Sequence, residues 1–326
     1  MDIRDIRIFL QPQMEKVEAL IKASLETDIA LLDASNKRFR EHPGKMLRPA
    51  LTLLAAGAAG EVTEDTLRYA AATELLHNAT LMHDDVVDGA TERRGLPTVF
   101  KFMGGGPAVL MGDFWLVKCI GRVLSAQNVT FRVVRLYADT LSHLAEGELL
   151  QMGKASKGDT TQEDYLRIIY GKTASLFEVA GLTAAISVGA SEAEISALGG
   201  FARELGLAFQ IKDDIFDYLD PSAALGKPVG IDLREQKITQ PLLCALETLA
   251  PAEQQRVRTL VTQAADKPEY VAEIQEIVKK SGGAQAAVTR MEAHKKAALA
   301  YLDILPDSLE KAYLIGLADY VVDRSV

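Results

Sequence analysis

Leu81 to Asp88, LMHDDVVD, and Gln210 to Asp217, QIKDDIFD, carry one pattern, Asp-Asp-x-x-Asp among apolar residues, about 130 residues apart in a chain rich in helix formers. Residues four apart share a helix face, so Asp84 projects with Asp88 and Asp213 with Asp217, flanked by Asp85 and Asp214. Six carboxylates turned into one cavity would repel one another, and some would keep their protons, unless hard cations neutralised them. Magnesium suits such a site, because it takes oxygen ligands, keeps several waters, and is usually held by one or two carboxylates together with phosphate oxygens of a substrate. One such motif in an acidic protein reads as well as a cap or a wetted helix face. Two copies in apolar surroundings, with basic residues distributed around them, point to chemistry.

Working outward from the two motifs, the pattern stays helical. Ile3, Ile6, Phe9 and Leu10, then Met14, Val17, Leu20 and Ile21, recur at helical spacing and predict one or two amphipathic helices up to Phe39. His42-Pro43-Gly44 interrupts them, and GKMLRP leads into a helix from about Leu47 to Ala59. Thr63 is placed to cap a long helix reaching Asp88. Gly89 to Pro97, GATERRGLP, reads as a polar loop centred on Arg93 and Arg94. Gly104-Gly105-Gly106-Pro107 lacks the Gly-Lys-Ser/Thr of a phosphate loop and reads as a turn before a helix carrying Gly112, Asp113 and Trp115. Asn128 is the candidate cap of the next helix, which contains EGELLQ from Glu146 to Gln151. Thr161 with Asp164 caps another, Gly171-Lys172-Thr173 is expected to break it, and Ser191 with Glu194 forms a capping box for a helix reaching Asp217. Asp220 to Gln240 is the longest polar segment and reads as a functional loop. Further helices follow, with breaks at Pro251, Pro268, Ser281-Gly282-Gly283 and Pro306. Strand-like alternation is scarce, so the fold class is all-α, and one domain over residues 1–326 is the simplest reading.

The chain has 326 residues, ample for a large core, and a net charge of -9. That acidity argues against a nucleic-acid partner, which needs a basic field. The two cysteines, Cys119 and Cys244, are too far apart for a zinc or redox motif and are expected to be reduced core thiols of a cytoplasmic protein. No signal-peptide core opens the chain. The apolar run Ala174 to Ala190 is interrupted by Glu178 and reads as buried helix rather than a membrane span.

From Gly44 to Pro241 the chain resembles the trans-isoprenyl diphosphate synthases, the polyprenyl synthetase family, whose two aspartate-rich motifs read like those above and whose separate motifs occur here in family order. The resemblance implies a helical bundle around a central cavity, the isoprenoid synthase fold, and a condensation of isopentenyl diphosphate with an allylic diphosphate. It implies Asp84, Asp88 and Asp213 as magnesium ligands, supported by Asp85, Asp214 and Asp217, with three ions in the substrate complex. Lys45, Arg48, His77 and Arg94 match its isopentenyl diphosphate site. Arg93, Lys172, Thr173, Gln210, Lys227 and Lys237 match positions that grip the allylic diphosphate and its ions. It further implies a homodimer, and release of an apolar product suggests transient membrane contact. Spacing gives partial support of its own: His77 lies two turns before Asp84 and Gln210 one turn before Asp213. Gln236 departs from the family, where glycine commonly precedes the lysine at 237.

In that family the residues four and five before the first aspartate set how deep the product tunnel runs, and here these are Thr80 and Ala79. Ala79 lies roughly 7.5 Å below Asp84 along a helix axis. Neither is aromatic, whereas short-chain members often place Phe or Tyr there, so a heptaprenyl to decaprenyl product for a quinone side chain is expected. Small size at Ala79 is equally what close helix packing would select. A shorter-chain synthase, a class I terpene cyclase and a regulatory subunit of a heteromeric synthase remain as alternatives. A cyclase normally carries Asn and Ser/Thr in its second motif, and a regulatory subunit is expected to lack metal ligands.

Overall fold

The computed structural model describes residues 3–41, 44–93, 95–218 and 230–324. Helices follow one another as α1 (Ile3–Ser24), α2 (Ala30–Glu41), α3 (Leu47–Ala59), α4 (Glu64–Val87), α5 (Val99–Met103), α6 (Gly105–Leu124) and α7 (Phe131–Lys157). After these come α8 (Gln162–Ile169), a π turn (Tyr170–Ala174), α9 (Ser175–Ser187), α10 (Glu192–Phe216), α11 (Ile231–Arg234), α12 (Gln240–Thr248), α13 (Pro251–Thr262), α14 (Pro268–Ser281), α15 (Gly283–Tyr301) and α16 (Leu309–Asp323). Among the described residues the only strands are β1 (Glu92–Arg93) and β2 (Leu96–Pro97), an antiparallel pair inside the expected polar loop. The all-α expectation therefore holds.

Contacts gather the chain into two compact units, Met1–Tyr137 with Val179–Gly199 and Ile304–Leu314, and Ala138–Glu178 with Gly200–Asp303 and Ile315–Val326. In the first unit α4 is the central helix. Leu67, Tyr69, Ala70, Ala71, Ala72, Leu75, Leu76 and Ala79 are buried around its whole circumference, as expected of a helix covered on every side, and it packs on α6, α3 and α1. Its start is fixed by a capping box in which Thr63 and Thr66 satisfy each other's backbone N–H groups. Trp115 on α6 is fully buried and donates its indole N–H to Asn36 Oδ1 at 2.9 Å, while Asn36 donates to the Leu25 carbonyl. Asn128 does not cap α7. Its N–H, with that of Gln127, is taken by the Asp65 carboxylate, and Thr130 Oγ1 accepts from Val133 N instead.

The core of the second unit joins Leu207, Ala208, Ile211 and Ile215 of α10 to Leu242, Leu243 and Leu246 of α12, with Val257 and Val261 of α13, Ile274 of α14 and Met291 of α15. Pro251 and Pro268 open α13 and α14, where a missing N–H costs nothing, and Gly282 turns between α14 and α15 at φ 73°. The expected break at Gly171-Lys172-Thr173 is instead the π turn that carries α8 on into α9. Residues 220–229, the first ten of the 21 in the expected loop, lie outside the described residues, as do His42 and Pro43. The rest of that loop begins as α11. Cys119 and Cys244 are buried free thiols.

Candidate active site

In the first unit, α4 is largely buried until its last turns, with Glu74 and Asn78 among its buried side chains. Asp84 is then half-buried, Asp85 buried, and Asp88 exposed at the C-cap, its N–H donating to the Asp84 carbonyl at 2.8 Å. Carboxylates here stand at the negative end of the helix dipole, which favours a cation in front of them. One cation is already in place, because the β1–β2 ribbon turns back and Arg93 Nε donates to Asp85 Oδ1 at 2.7 Å. The ribbon is pinned to the helix end by Ala90 N donating to the Asp85 carbonyl at 2.9 Å and Thr98 Oγ1 to the Ala90 carbonyl at 2.6 Å. Burial raises the Asp85 pKa above the usual carboxylate range, and Arg93 works against that rise. Arg94 lies outside the described residues.

Lys45 is exposed and Arg48 buried on either side of Met46, whose φ of 51° is a left-handed conformation that costs a residue with a Cβ about 1–2 kcal/mol. His77 is half-buried, and Thr80 Oγ1 donates to its carbonyl at 2.8 Å; Ala79 is buried in the core of the unit. His83 is a contact that sequence reasoning missed. Its Nε2 lies 3.3 Å from Asp113 Oδ1 on α6, and a Cβ on Gly112 would come within 2.3 Å of that nitrogen. The Gly112-Asp113 pair was the visible signal: the glycine admits the ring and the aspartate meets it.

In the second unit the three carboxylates of the second motif have three different settings. Asp213 accepts from Arg324 Nη2 at 2.7 Å. Asp214 is buried and accepts from Tyr165 Oη at 2.6 Å and Gln210 Nε2 at 2.9 Å, and Thr173 Oγ1 donates to Gln210 Oε1 at 2.7 Å, completing a chain of four side chains. Asp217 accepts from the N–H groups of Ile231 and Asp232 at 2.9 and 3.0 Å, holding the start of α11. Burial pushes Asp214 up to about 7, and burial likewise raises Asp217 and Asp232. A cavity of about 150 Å³ is lined by Lys172, Gln210, Asp214 and Lys237 together with Tyr165 and Asp232. Lys172 Nζ pairs with Glu148 at 2.5 Å and Lys237 with Glu235. Lys172 is set there by backbone approach, since a Cβ on Gly171 would stand 2.5 Å from the His143 carbonyl and one on Gly147 would stand 3.0 Å from Lys172 N. Lys227 lies outside the described residues.

A family model for polyprenyl synthetase matches residues 29–278. The chain belongs to the polyprenyl synthetase family. Among similar proteins is the octaprenyl diphosphate synthase of Haemophilus influenzae, 37% identical over 325 residues, covering 100% of this chain and 98% of that one. Among solved structures, a decaprenyl diphosphate synthase from Rhodobacter capsulatus matches with a TM-score of 0.92 at 34% identity, covering 99% of each chain. A polyprenyl synthase from Caulobacter crescentus, complexed with calcium and isoprenyl diphosphate, matches with a TM-score of 0.91 at 32% identity over 100% of this chain and 98% of that one. The fold is therefore that of the isoprenoid synthases.

In this polyprenyl synthetase the departure at Gln236 has a conformational meaning. Its φ is 59°, a region glycine enters freely, and Gln236 Nε2 donates to the Thr262 carbonyl at 2.6 Å, a bond that offsets the strain and fixes the backbone next to Lys237. Among the described residues no three His, Cys, Asp or Glu side chains gather closely enough to hold an ion by themselves. The donors in both motifs are nevertheless carboxylate oxygens alone, which suit a hard cation bound through one or two carboxylates and completed by phosphate oxygens. Among the described residues no helix is long and apolar enough to cross a membrane.

Proposed function

We propose that this chain is a magnesium-dependent prenyltransferase that condenses isopentenyl diphosphate with an allylic diphosphate to build a long all-trans-polyprenyl diphosphate, of the heptaprenyl to decaprenyl range, for quinone side chains. The observation that carries the reading is that α4 and α10 both end in an Asp-Asp-x-x-Asp motif, each with an arginine already bonded to one of its carboxylates. Carboxylates at a helix's negative end with guanidinium groups beside them suit a polyanion accompanied by divalent ions.

Asp84, Asp88 and Asp213 are the ion ligands in this reading, with Asp85, Asp214 and Asp217 supporting them. Three magnesium ions accompany the substrates, and when bound they offset charge on the departing diphosphate. Lys45, Arg48, His77 and Arg94 hold isopentenyl diphosphate. Arg93, Lys172, Thr173, Gln210, Lys227 and Lys237 hold the allylic diphosphate; the hydrogen-bonded line from Thr173 through Gln210 to Asp214 keeps these groups in register. The allylic C–O bond breaks, the double bond of isopentenyl diphosphate attacks the freed carbon, and loss of a proton, taken by the released diphosphate, leaves a chain one unit longer. Buried Ala79, with Thr80 beside it, sets the depth available to the growing tail.

The working form is a homodimer, with residues 1–326 of each copy acting as one domain in the cytoplasm and meeting the membrane only to release product. Support for the dimer comes from α6. Leu110, Val117 and Leu124 recur every seven residues and are 68%, 67% and 56% exposed, a self-complementary seam that a second copy would cover. The test is to give purified protein labelled isopentenyl diphosphate and allylic primers, with and without EDTA, and to read products by mass spectrometry. Chain elongation by five-carbon units that stops with chelation is expected. Cyclised hydrocarbon, or no turnover with any primer, would overturn the reading.

A further inference from the structure

The last described residue, Arg324, follows α16, and its side chain is 7% exposed. Nε donates to the Val321 carbonyl at 3.2 Å, closing the last turn of its own helix. Nη2 donates to the Phe209 carbonyl at 3.0 Å and to Asp213 Oδ1 at 2.7 Å. The guanidinium carbon lies 3.9 Å from the centre of the Phe209 ring and 5.6 Å from that of Phe216. Phe209, Asp213 and Phe216 occupy one face of α10, at i, i+4 and i+7. A guanidinium held by two carbonyls and two rings is a fixed point, whereas the Asp213 side chain is 42% exposed and by itself has rotamers to choose from.

We propose that Arg324 is a positioning residue for Asp213, holding its carboxylate in the orientation in which it meets a divalent ion. Only a planar fork serves here, because a single ammonium cannot reach the Val321 and Phe209 carbonyls and the carboxylate together. The role presupposes that Asp213 is an ion ligand, and the test separates the two. Outer partners of this kind typically change metal affinity by roughly 10–100-fold when removed.

The measurement is free Mn²⁺ by electron paramagnetic resonance during titration of the full chain in the presence of inorganic pyrophosphate, with circular dichroism as a check of folding. Arg324→Gln is expected to weaken Mn²⁺ binding about 10-fold and Arg324→Lys about 3-fold. In an Asp213→Asn background neither change should weaken it further. If Arg324→Gln does not fold, Arg324→Lys carries the same comparison. Unchanged affinity on replacing Arg324 while Asp213→Asn weakens binding would overturn the positioning role and leave the ligand reading standing. An Arg324 effect of the same size without the Asp213 carboxylate would show that the arginine acts elsewhere. No effect of Asp213→Asn would remove the ligand reading, and the positioning role with it.

Discussion

Asp214 and Ala79 are two small side chains whose surroundings give them roles that their identity alone does not. Asp214 is buried, and its pKa of about 7 lies well above the ~3.9 of an aspartate in an unfolded chain. Between those values the native state keeps a proton that the unfolded state has shed, so the stability contributed by this group is fully present below about pH 4 and is lost as pH rises through about 7. Asp214→Asn keeps the shape without the titration. In urea unfolding at about pH 5 and pH 8 with EDTA present, it should flatten the decline by an amount on the order of 2–4 kcal/mol, with a remainder from Asp232, whose pKa burial also raises. An identical decline in both proteins would mean that Asp214 is charged throughout. Ala79 is buried inside α4, so a ring there must displace something. Ala79→Tyr is expected to shift products to shorter chains in a chromatographic assay and to destabilise by about 1–3 kcal/mol through overpacking. Destabilisation with unchanged chain length would leave packing as the whole reason for alanine.

At the scale of elements, the π turn between α8 and α9 is the feature on which the placement of Lys172 depends. Two helices can approach closely enough to put Lys172 N beside α7 only because Gly147 and Gly171 face each other without side chains. Gly171→Ala places a methyl 2.5 Å from the His143 carbonyl, a backbone atom that cannot turn away. Loss of about 1–3 kcal/mol in thermal or urea unfolding is expected, together with a raised KM for the allylic substrate greater than that for isopentenyl diphosphate. Equal changes in both KM values would show that the shift is not local to Lys172. The caps at Thr63, Thr161 and Ser191 were legible as residue patterns, because each bond spans three positions. Asn128 was misread for the complementary reason: its N–H is claimed by Asp65, more than sixty residues earlier.

On the scale of the whole molecule, the α6 seam leaves Leu110, Val117 and Leu124 in water unless another surface covers them. Val117→Asp would put a charge in the middle of that seam. By sedimentation or light scattering the native chain is expected to run as a dimer and the variant as a monomer, since an unpaired charge buried at an interface costs several kcal/mol. A variant that stays dimeric would mean that copies meet through another face.

What the sequence determined by itself was local and periodic. Helical spacing and caps place α3, α4 and α10 within a residue or two, proline and glycine punctuation marks where α13, α14 and α15 begin, and the duplicated aspartate motif with its surrounding cations pointed to the family; α5 and α11 gave no such signal. Tertiary structure alone decided how those aspartates are partnered. Asp85 with Arg93, Asp213 with Arg324, Asp214 with Tyr165 and Asp217 with the start of α11 are contacts between residues from 8 to 111 positions apart. So is the conformation of Gly171-Lys172-Thr173, which reads as a helix break and is held as a π turn by α7. The physical reason is the range of the forces involved. A helix is closed by bonds four residues long and shows in any short window, whereas the proton affinity of a carboxylate depends on which distant groups the packed chain brings against it.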